Sequence, residues 1–305
     1  MYLYHFGLTE LPFTLTPNTS FFLGLQPHNE ALAVLLTALK TGEGFIKVVG
    51  EVGTGKTLLC RKLLNEIPAH FVTAYIPNPY LNPDELRRAV ASELGIKQAQ
   101  RMSSQLLTQR IQERLLTLHG EGHSVVVILD EAQALPEDSL EALRLFTNLE
   151  TESRKLLQVV LFAQPELDVR LAEQKFRQLR QRITFSYQLR VMTAAEVEHY
   201  VSHRLYVAGY KGPALFSSQL AKKIAKASRG VPRLVNILCH KMLMLSYGEG
   251  SYQITNKHLL LATKDTEDSI MPKPWLMPLV ILALFGLVGL TLFLVTGYIS
   301  FGAKV

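Results

Sequence analysis

Cysteine is scarce in this chain: there are two in 305 residues, Cys60 and Cys239. Both fall inside predicted helices and lie far apart in the sequence. This pattern excludes a disulfide framework or a cysteine-rich metal site and is typical of small buried apolar side chains. It indicates a protein of a reducing compartment.

The start of the chain has no leader-like pattern, and the charge balance has little excess of either sign. Residues 1–6 place no basic region ahead of an apolar core, so we expect no signal peptide. The 32 Lys and Arg residues exceed the 26 Asp and Glu residues only slightly and are dispersed. Such a distribution fits a solvated surface at least as well as a patch for nucleic acid or an anionic membrane. Net charge therefore selects no partner.

Acidic and basic residues are missing from residues 275–303, and residues 276–299 are almost wholly apolar. Because about 20 apolar residues cross a bilayer, the run predicts one C-terminal transmembrane helix. Trp275 and Tyr298 bracket it where interfacial aromatic residues belong. Lys264 and Lys273 precede the run and only Lys304 follows it, so we expect the N-terminal side to be cytoplasmic. A buried core helix is the alternative. With so few residues beyond the span, we expect no folded module across the membrane.

The most specific motif, at residues 50–57, has the spacing G-x-x-x-x-G-K-T. We expect this motif and the next residue, Leu58, to bind a nucleotide. Its glycines let successive N–H groups turn inward around an anion, and the next helix points its positive end at the same place. Lys56 can reach the β- and γ-phosphates, and the Thr57 hydroxyl can ligate Mg²⁺. The predicted binding residues are Gly50, Glu51, Val52, Gly53, Thr54, Gly55, Lys56, Thr57 and Leu58.

The segments on either side of this motif have the required structure. Residues 45–49 predict a short buried strand before the loop, and residues 58–67 predict an amphipathic helix after it. A glycine-rich turn without nucleotide is the alternative, and this context argues against it. The sequence therefore predicts a P-loop that binds ATP or GTP.

A second acidic signal follows a β-branched run at residues 124–129, which is typical of a central parallel strand. The run ends in Asp130 and Glu131, the Walker B pattern. At the carboxyl end of a strand, Asp130 can hold Mg²⁺ through water and Glu131 can polarise the attacking water. A solvated acidic turn is the alternative.

Two further strands, at residues 156–162 and 183–189, carry candidate catalytic side chains at their ends. Gln164 follows the first and is a candidate sensor of the γ-phosphate, or else only a helix-entry hydrogen bond. Arg177, Arg180 and Arg182 precede the second. An arginine there can stabilise charge on a neighbouring subunit's nucleotide, and we favour Arg182, then Arg180. A solvated basic turn is the alternative.

From residue 192 the pattern is helical, beginning with a capping box at Thr193 and Glu196. This predicts a helical lid on the α/β sheet. Arg233, in the first turn of a lid helix, is placed to reach the γ-phosphate, with an ordinary surface arginine as the alternative. The predicted domains are an α/β domain at 1–190, a lid at 191–265, a linker at 266–275, the transmembrane helix at 276–299 and a tail at 300–305.

Together these motifs resemble an AAA+ ATPase, a P-loop NTPase with a five-stranded parallel sheet. Five segments extend the likeness to the ExeA (general secretion pathway A) family over nearly all of residues 1–265, and those members that serve pili of the mannose-sensitive haemagglutinin (MSHA) type are the most similar. The segments are Phe6-Gly7-Leu8, His28-Asn29-Glu30-Ala31-Leu32, Leu129-Asp130-Glu131-Ala132-Gln133, Gln164-Pro165-Glu166-Leu167 and Gly230-Val231-Pro232-Arg233.

The resemblance implies an ATPase with ATP and Mg²⁺ as ligands, acting as a homo-oligomer at the bacterial inner membrane. It implies pilus or secretion assembly proteins as partners and makes nucleic acid an unexpected one. It also implies that Asn78 restrains Glu131; an ordinary Asn-Pro turn is the alternative. Phe13, Thr16 and Pro17 are expected to line the adenine pocket, and a packed N-terminal segment is the alternative for them. ExeA continues into a peptidoglycan-binding domain, and we expect no counterpart of that domain here. An ATP-dependent DNA-handling switch of the TniB or Mu B type shares the same core and is the alternative function.

Overall fold

A computed structural model describes residues 2–146 and 155–271. Its centre is a five-stranded, all-parallel sheet in the order β2-β3-β4-β1-β5. The strands are β1 (Phe45–Gly50), β2 (Phe71–Ile76), β3 (Ser124–Leu129), β4 (Leu157–Ala163) and β5 (Ile183–Leu189). The predicted parallel sheet is confirmed.

Helices cover both faces of the sheet and continue beyond it. They are α1 (Tyr2–Phe6), α2 (Gln26–Thr41), α3 (Lys56–Glu66), α4 (Pro83–Glu93), α5 (Ser104–Gly120), α6 (Glu137–Phe146), α7 (Glu166–Ala172), α8 (Arg177–Arg182), α9 (Ala194–Val207), α10 (Ser218–Ala227), α11 (Pro232–Gly248) and α12 (Asn256–Lys264). Asn82 caps α4 and Thr193 caps α9, each in a capping box.

Alternate side chains of the central strands enter two different cores. On β3, Val125 and Val127 pack beneath α4 to α8, whereas Val126 and Ile128 pack beneath α2 and α3. The strands are buried on both faces, which explains their unbroken β-branched sequence. The sheet is therefore a rigid base whose carboxyl edge can hold the loops after β1 and β3.

The third core joins the C-terminal helices to the beginning of the chain. Helices α9 to α12 form a bundle, and Phe6, Phe13 and Phe21 from the N-terminal segment are buried in it. The predicted division at residue 190 assigns this segment to the sheet domain. Its aromatic side chains instead bury their area against the bundle. We call residues 8–25 the strap, because they run along the bundle before α2 begins.

In the described part of the chain, no helix is both long enough and apolar enough to cross a bilayer. The transmembrane helix predicted at 276–299, the tail at 300–305 and residues 272–275 of the linker lie outside that part.

Candidate nucleotide site

The glycine-rich loop lies between the carboxyl end of β1 and the first turn of α3. Gly53 and Gly55 have φ angles of 79° and 97°, values that side-chain-bearing residues adopt only with strain. The loop can therefore turn its N–H groups toward a phosphate only with glycine at these positions.

Lys56 is buried, and its Nζ donates to the carbonyls of Gly50 at 2.7 Å and Glu51 at 3.0 Å. Burial lowers the pKa of Lys56, while the negative charges of Glu131 and Asp130 act in the opposite direction. A phosphate would replace these weak carbonyl partners by an ionic one. The Lys56 ammonium group is thus already held beside the loop that is expected to bind the phosphates.

Asp130 lies directly after β3 and is 3 % exposed. It accepts hydrogen bonds from the Thr57 side chain and from the Glu131 N–H. Burial raises the pKa of Asp130, and these hydrogen bonds partly oppose that rise. Hydroxyl and carboxylate oxygens suit Mg²⁺, which usually adds phosphate and water ligands to one or two protein ligands. Residues 2–146 and 155–271 contain no cluster of three acidic, His or Cys side chains that could hold a metal.

Glu131 is held by two glutamine side chains. Its Oε2 accepts from Gln133 Nε2 at 2.6 Å and from Gln164 Nε2 at 2.9 Å. Gln133 also accepts from the Gln164 N–H at 3.0 Å, and its carbonyl accepts from Arg170 at 2.7 Å. Glu131 has a φ of 54°, a strained value for a residue with a side chain and one that is common at functional sites. The surrounding hydrogen bonds therefore fix this carboxylate in place.

Gln133 is a residue that the motif analysis missed as a site residue. It stands two positions after Glu131, within the segment quoted for the family resemblance. Only the short turn at Ala132–Ala134 brings its amide back to Glu131. The nearby Gln164 lies where it was expected, at the end of β4.

Asn78 does not meet Glu131 in this structure. Its Oδ1 accepts from the Tyr80 N–H at 3.2 Å, which is the local Asn-Pro turn considered as the alternative. Within the described chain, the side-chain hydrogen bonds to the Glu131 carboxylate come from the two glutamines. In this structure the two glutamines, and not Asn78, hold the Glu131 carboxylate.

A cavity of about 330 Å³ extends from the P-loop to the bundle. Glu131 and Gln164 lie in its wall with Arg233. The P-loop contributes Val52, Gly53, Gly55, Lys56, Thr57 and Leu58. Gly50 and Glu51 contact Lys56 from behind, and the Thr54 hydroxyl donates back to the Glu51 carbonyl at 2.8 Å.

The far end of the cavity is formed by the strap and the bundle. Thr16 and Pro17 of the strap line it, whereas Phe13 is buried in the bundle core. Arg204 of α9, 5 % exposed, donates to the carbonyls of Pro12 and Thr14 and lies over the ring of Phe21 at 4.4 Å. This buried arginine ties the strap to the bundle, and no local motif marked it.

Arg180 and Arg182 lie away from this cavity. Arg182 donates to the Arg144 carbonyl at 3.2 Å, and Arg180 donates to the carbonyls of Leu171 and Ala172. Both precede β5, at its amino end, whereas the P-loop follows the carboxyl end of the parallel β1. A seven-residue strand is about 23 Å long. These arginines therefore lie at the amino ends of the strands, whereas the P-loop of the same chain lies at the carboxyl ends.

The chain is similar to known proteins both in sequence and in fold. Residues 39–171 match the AAA domain family. The chain is 41% identical over 262 residues to "General secretion pathway protein A" of Aeromonas hydrophila, a match that covers 86% of this chain and 48% of that protein. The chain thus spans about half the length of this relative.

Solved structures show the same fold at low identity. Cdc6p of Pyrobaculum aerophilum has a TM-score of 0.62 and 18% identity, covering 81% of this chain and 70% of that one. The ORC2 protein of Aeropyrum pernix, in its ADPNP-ADP complexes, has a TM-score of 0.61 and 16% identity, covering 84% and 73%. The RuvB branch migration motor of Thermotoga maritima has a TM-score of 0.55 and 16% identity, covering 84% and 73%.

Proposed function

We propose that this chain, an AAA ATPase similar to general secretion pathway protein A, drives or regulates assembly of a type IV pilus of the MSHA kind, in the manner of MshM, or of a type II secretion machine. The observation that carries the proposal is the 41% identity to a secretion pathway protein over 86% of the chain. We further propose that it acts as a homo-oligomer anchored in the bacterial inner membrane by residues 276–299.

The site residues would divide the work of ATP hydrolysis. Backbone N–H groups of the P-loop and Lys56 would bind the phosphates, and Glu131 would orient and polarise the attacking water. Thr57 and Asp130 would hold Mg²⁺, which supplies charge neutralisation at the β- and γ-phosphates when bound. Gln164 already donates to Glu131. A γ-phosphate at the same place would compete for that donor, so Gln164 is suited to report which nucleotide is bound.

Two arginines would each bring a positive charge to a bound nucleotide, one from the same chain and one from a neighbouring subunit. Arg233 lines the cavity of its own chain from the first turn of α11, and would contact the γ-phosphate from the bundle, which would act as the lid. Arg182 lies at the amino ends of the strands, away from the P-loop of its own chain. It would therefore act on the nucleotide of a neighbouring subunit.

Partner capture tests the assembly role. The full-length Glu131→Gln variant keeps the P-loop and is expected to bind ATP without hydrolysing it, whereas Lys56→Ala binds ATP poorly. Both variants would be crosslinked in native membranes, isolated and analysed by mass spectrometry. Pilus or secretion components enriched only with Glu131→Gln are the expected result. Equal recovery with both variants would contradict a nucleotide-dependent role in assembly.

The second candidate function is a DNA-handling switch of the TniB or Mu B type. It is favoured by one observation, the fold shared with proteins whose solved structures include a complex with DNA. It predicts ATP-dependent DNA binding whose affinity falls steeply with salt. Titration of full-length protein with labelled duplex DNA at two salt concentrations separates the functions, because the assembly ATPase is expected to bind DNA weakly and regardless of nucleotide.

A further inference from the structure

His28, in the first turn of α2, is buried directly behind the P-loop. Its side chain is 7 % exposed, and its Nε2 lies 3.1 Å from the Thr54 carbonyl oxygen. A carbonyl only accepts hydrogen bonds, so Nε2 must carry the hydrogen. His28 is therefore a donor to the backbone of the loop that binds phosphate.

The surroundings of the other ring nitrogen, Nδ1, favour the same tautomer of His28. Nδ1 of His28 is buried without a hydrogen-bond partner, and burial lowers the pKa of the imidazole. Arg190 acts in the same direction as burial, whereas Glu196 and the Thr54 carbonyl oppose it. A neutral ring with its single hydrogen on Nε2 meets these surroundings best, since a proton on Nδ1 would be buried and unpaired.

The ring also occupies space that the loop leaves open. A Cβ on Gly55 would lie 3.1 Å from His28 Nε2, and Gly55 has a φ of 97°. The imidazole thus fits against the loop where a glycine has no side chain. Because of this close approach, the loop cannot relax toward α2 without losing the hydrogen bond or colliding with the ring.

The start of α2 is itself well anchored. Glu30 accepts from the Tyr187 hydroxyl of β5 at 2.9 Å, and the Asn29 amide donates to the Gly24 carbonyl at 2.7 Å. These bonds attach the first turn of α2 to the sheet and to the end of the strap. His28 therefore projects from a rigid support, which is the arrangement that orients a binding loop in advance.

We propose that His28 is a positioning residue for nucleotide binding. By holding the Thr54 carbonyl toward α2, it keeps the following N–H groups, those of Gly55, Lys56 and Thr57, directed at the phosphates. It acts through the backbone and does not touch the nucleotide. The proposal depends on ATP binding alone and is independent of the role in pilus or secretion assembly.

Three substitutions separate the hydrogen bond from the volume of the ring. His28→Gln places an amide donor near the position of Nε2, His28→Asn places it near Nδ1, and His28→Phe fills the space without a donor. A matched control is His258→Gln, which changes another buried histidine, 1 % exposed and located in the bundle.

The experiment measures binding of a fluorescent ATP analogue, and kcat and KM of hydrolysis, for the full-length proteins. Loss of one buried hydrogen bond predicts weaker binding on the order of ten-fold for His28→Asn and His28→Phe. In these variants KM should rise while kcat at saturating ATP changes little. His28→Gln should bind within about three-fold of the unchanged protein, and His258→Gln should bind as the unchanged protein does.

Equal binding by His28→Phe and the unchanged protein would overturn the proposal, since the donor would then be unnecessary. It would also be overturned if His258→Gln weakened binding as much as His28→Asn, because the effect would then reflect general stability. Should His28→Phe fail to fold, the comparison of His28→Gln with His28→Asn decides, and equal affinity of these two contradicts the proposal. Failure of pilus or secretion capture would leave every one of these outcomes unchanged.

Discussion

The backbone N–H of Arg233 donates to the carbonyl of Gly53 across 3.2 Å, so the first turn of α11 rests directly on the P-loop. A Cβ on Gly53 would lie 2.6 Å from the Cβ of Arg233 and 3.2 Å from Val231. The loop and the bundle are therefore in contact at a point where only glycine fits.

Gly53→Ala is expected to weaken ATP binding at least ten-fold and to destabilise the protein by about 1–3 kcal/mol. The cause is the combination of a positive φ and the collision with Arg233. Gly42→Ala is the matched control, because Gly42 has a similar φ of 81° but nothing within 4 Å of its Cβ position. Urea unfolding and nucleotide titration should show a backbone cost in both variants and a binding loss only in Gly53→Ala.

Gln133→Leu is expected to lower kcat about ten-fold or more with KM within two-fold, because Gln133 holds the Glu131 carboxylate but does not line the nucleotide cavity. Steady-state kinetics of Gln133→Leu, Gln164→Leu and the double variant would measure this. Both glutamines bond the same oxygen, so the two losses should not add. Independent, additive effects would contradict the shared hydrogen-bond geometry.

Arg182→Ala is expected to reduce turnover by 10³-fold or more if it stabilises charge on a neighbour's nucleotide. Mixing Arg182→Ala subunits with Lys56→Ala subunits should restore part of the activity, because a Lys56→Ala subunit still offers its arginine to an intact site. Activity of the mixture no higher than that of the two variants alone would show that Arg182 does not act between subunits.

Arg204→Met is expected to destabilise the protein by about 2–4 kcal/mol, because it leaves the buried carbonyls of Pro12 and Thr14 with fewer donors. Arg190→Met is the control: it removes an exposed ion pair with Glu196, which is expected to contribute less than about 1 kcal/mol. Denaturant unfolding monitored by circular dichroism compares the two. Similar losses would mean that the strap is not held mainly by Arg204.

Stability is expected to fall as the pH is lowered below about 6.5. Burial lowers the pKa of His28, His203 and His240 from that value. The unfolded chain therefore takes up protons at a higher pH than the folded chain, and the folded state loses stability between the two pKa values. Urea midpoints at pH 7.5 and 5.5 measure the effect, which should be smaller in His28→Gln. A midpoint that rises toward pH 5.5 would contradict this assignment.

Local features of the chain were predictable from the sequence. The P-loop and the strand before Asp130 are defined by the order of neighbouring residues, because a parallel strand buried on both faces needs a continuous apolar run. The predicted fourth strand, at 156–162, differs from β4 by one residue at each end. Strand ends are uncertain to that extent because terminal backbone hydrogen bonds depend on the adjoining strand.

Features that depend on distant parts of the chain were not predictable in this way. The packing of the strap against the bundle joins residues nearly 200 positions apart, and Arg204 carries no motif that announces it. Asn78 was a candidate partner of Glu131, with an Asn-Pro turn as the alternative; the structure has that turn, and a turn of three residues brings Gln133 to Glu131. Arg204 meets its partners through the tertiary arrangement, which neighbouring residues do not encode. Gln133 instead reaches Glu131 through a local turn whose geometry the residue pattern did not reveal.

The packing of the strap has a mechanical consequence. The strap and α9 to α12 share one core. Within residues 2–146 and 155–271, two backbone connections join that core to the sheet: the junction at Leu25 and the segment between Leu189 and Thr193. Both walls at the far end of the nucleotide cavity, the strap and the bundle, therefore belong to the same packed core. Any rotation of the strap and bundle relative to the sheet would therefore move both of these walls together and open or close the cavity from two sides at once.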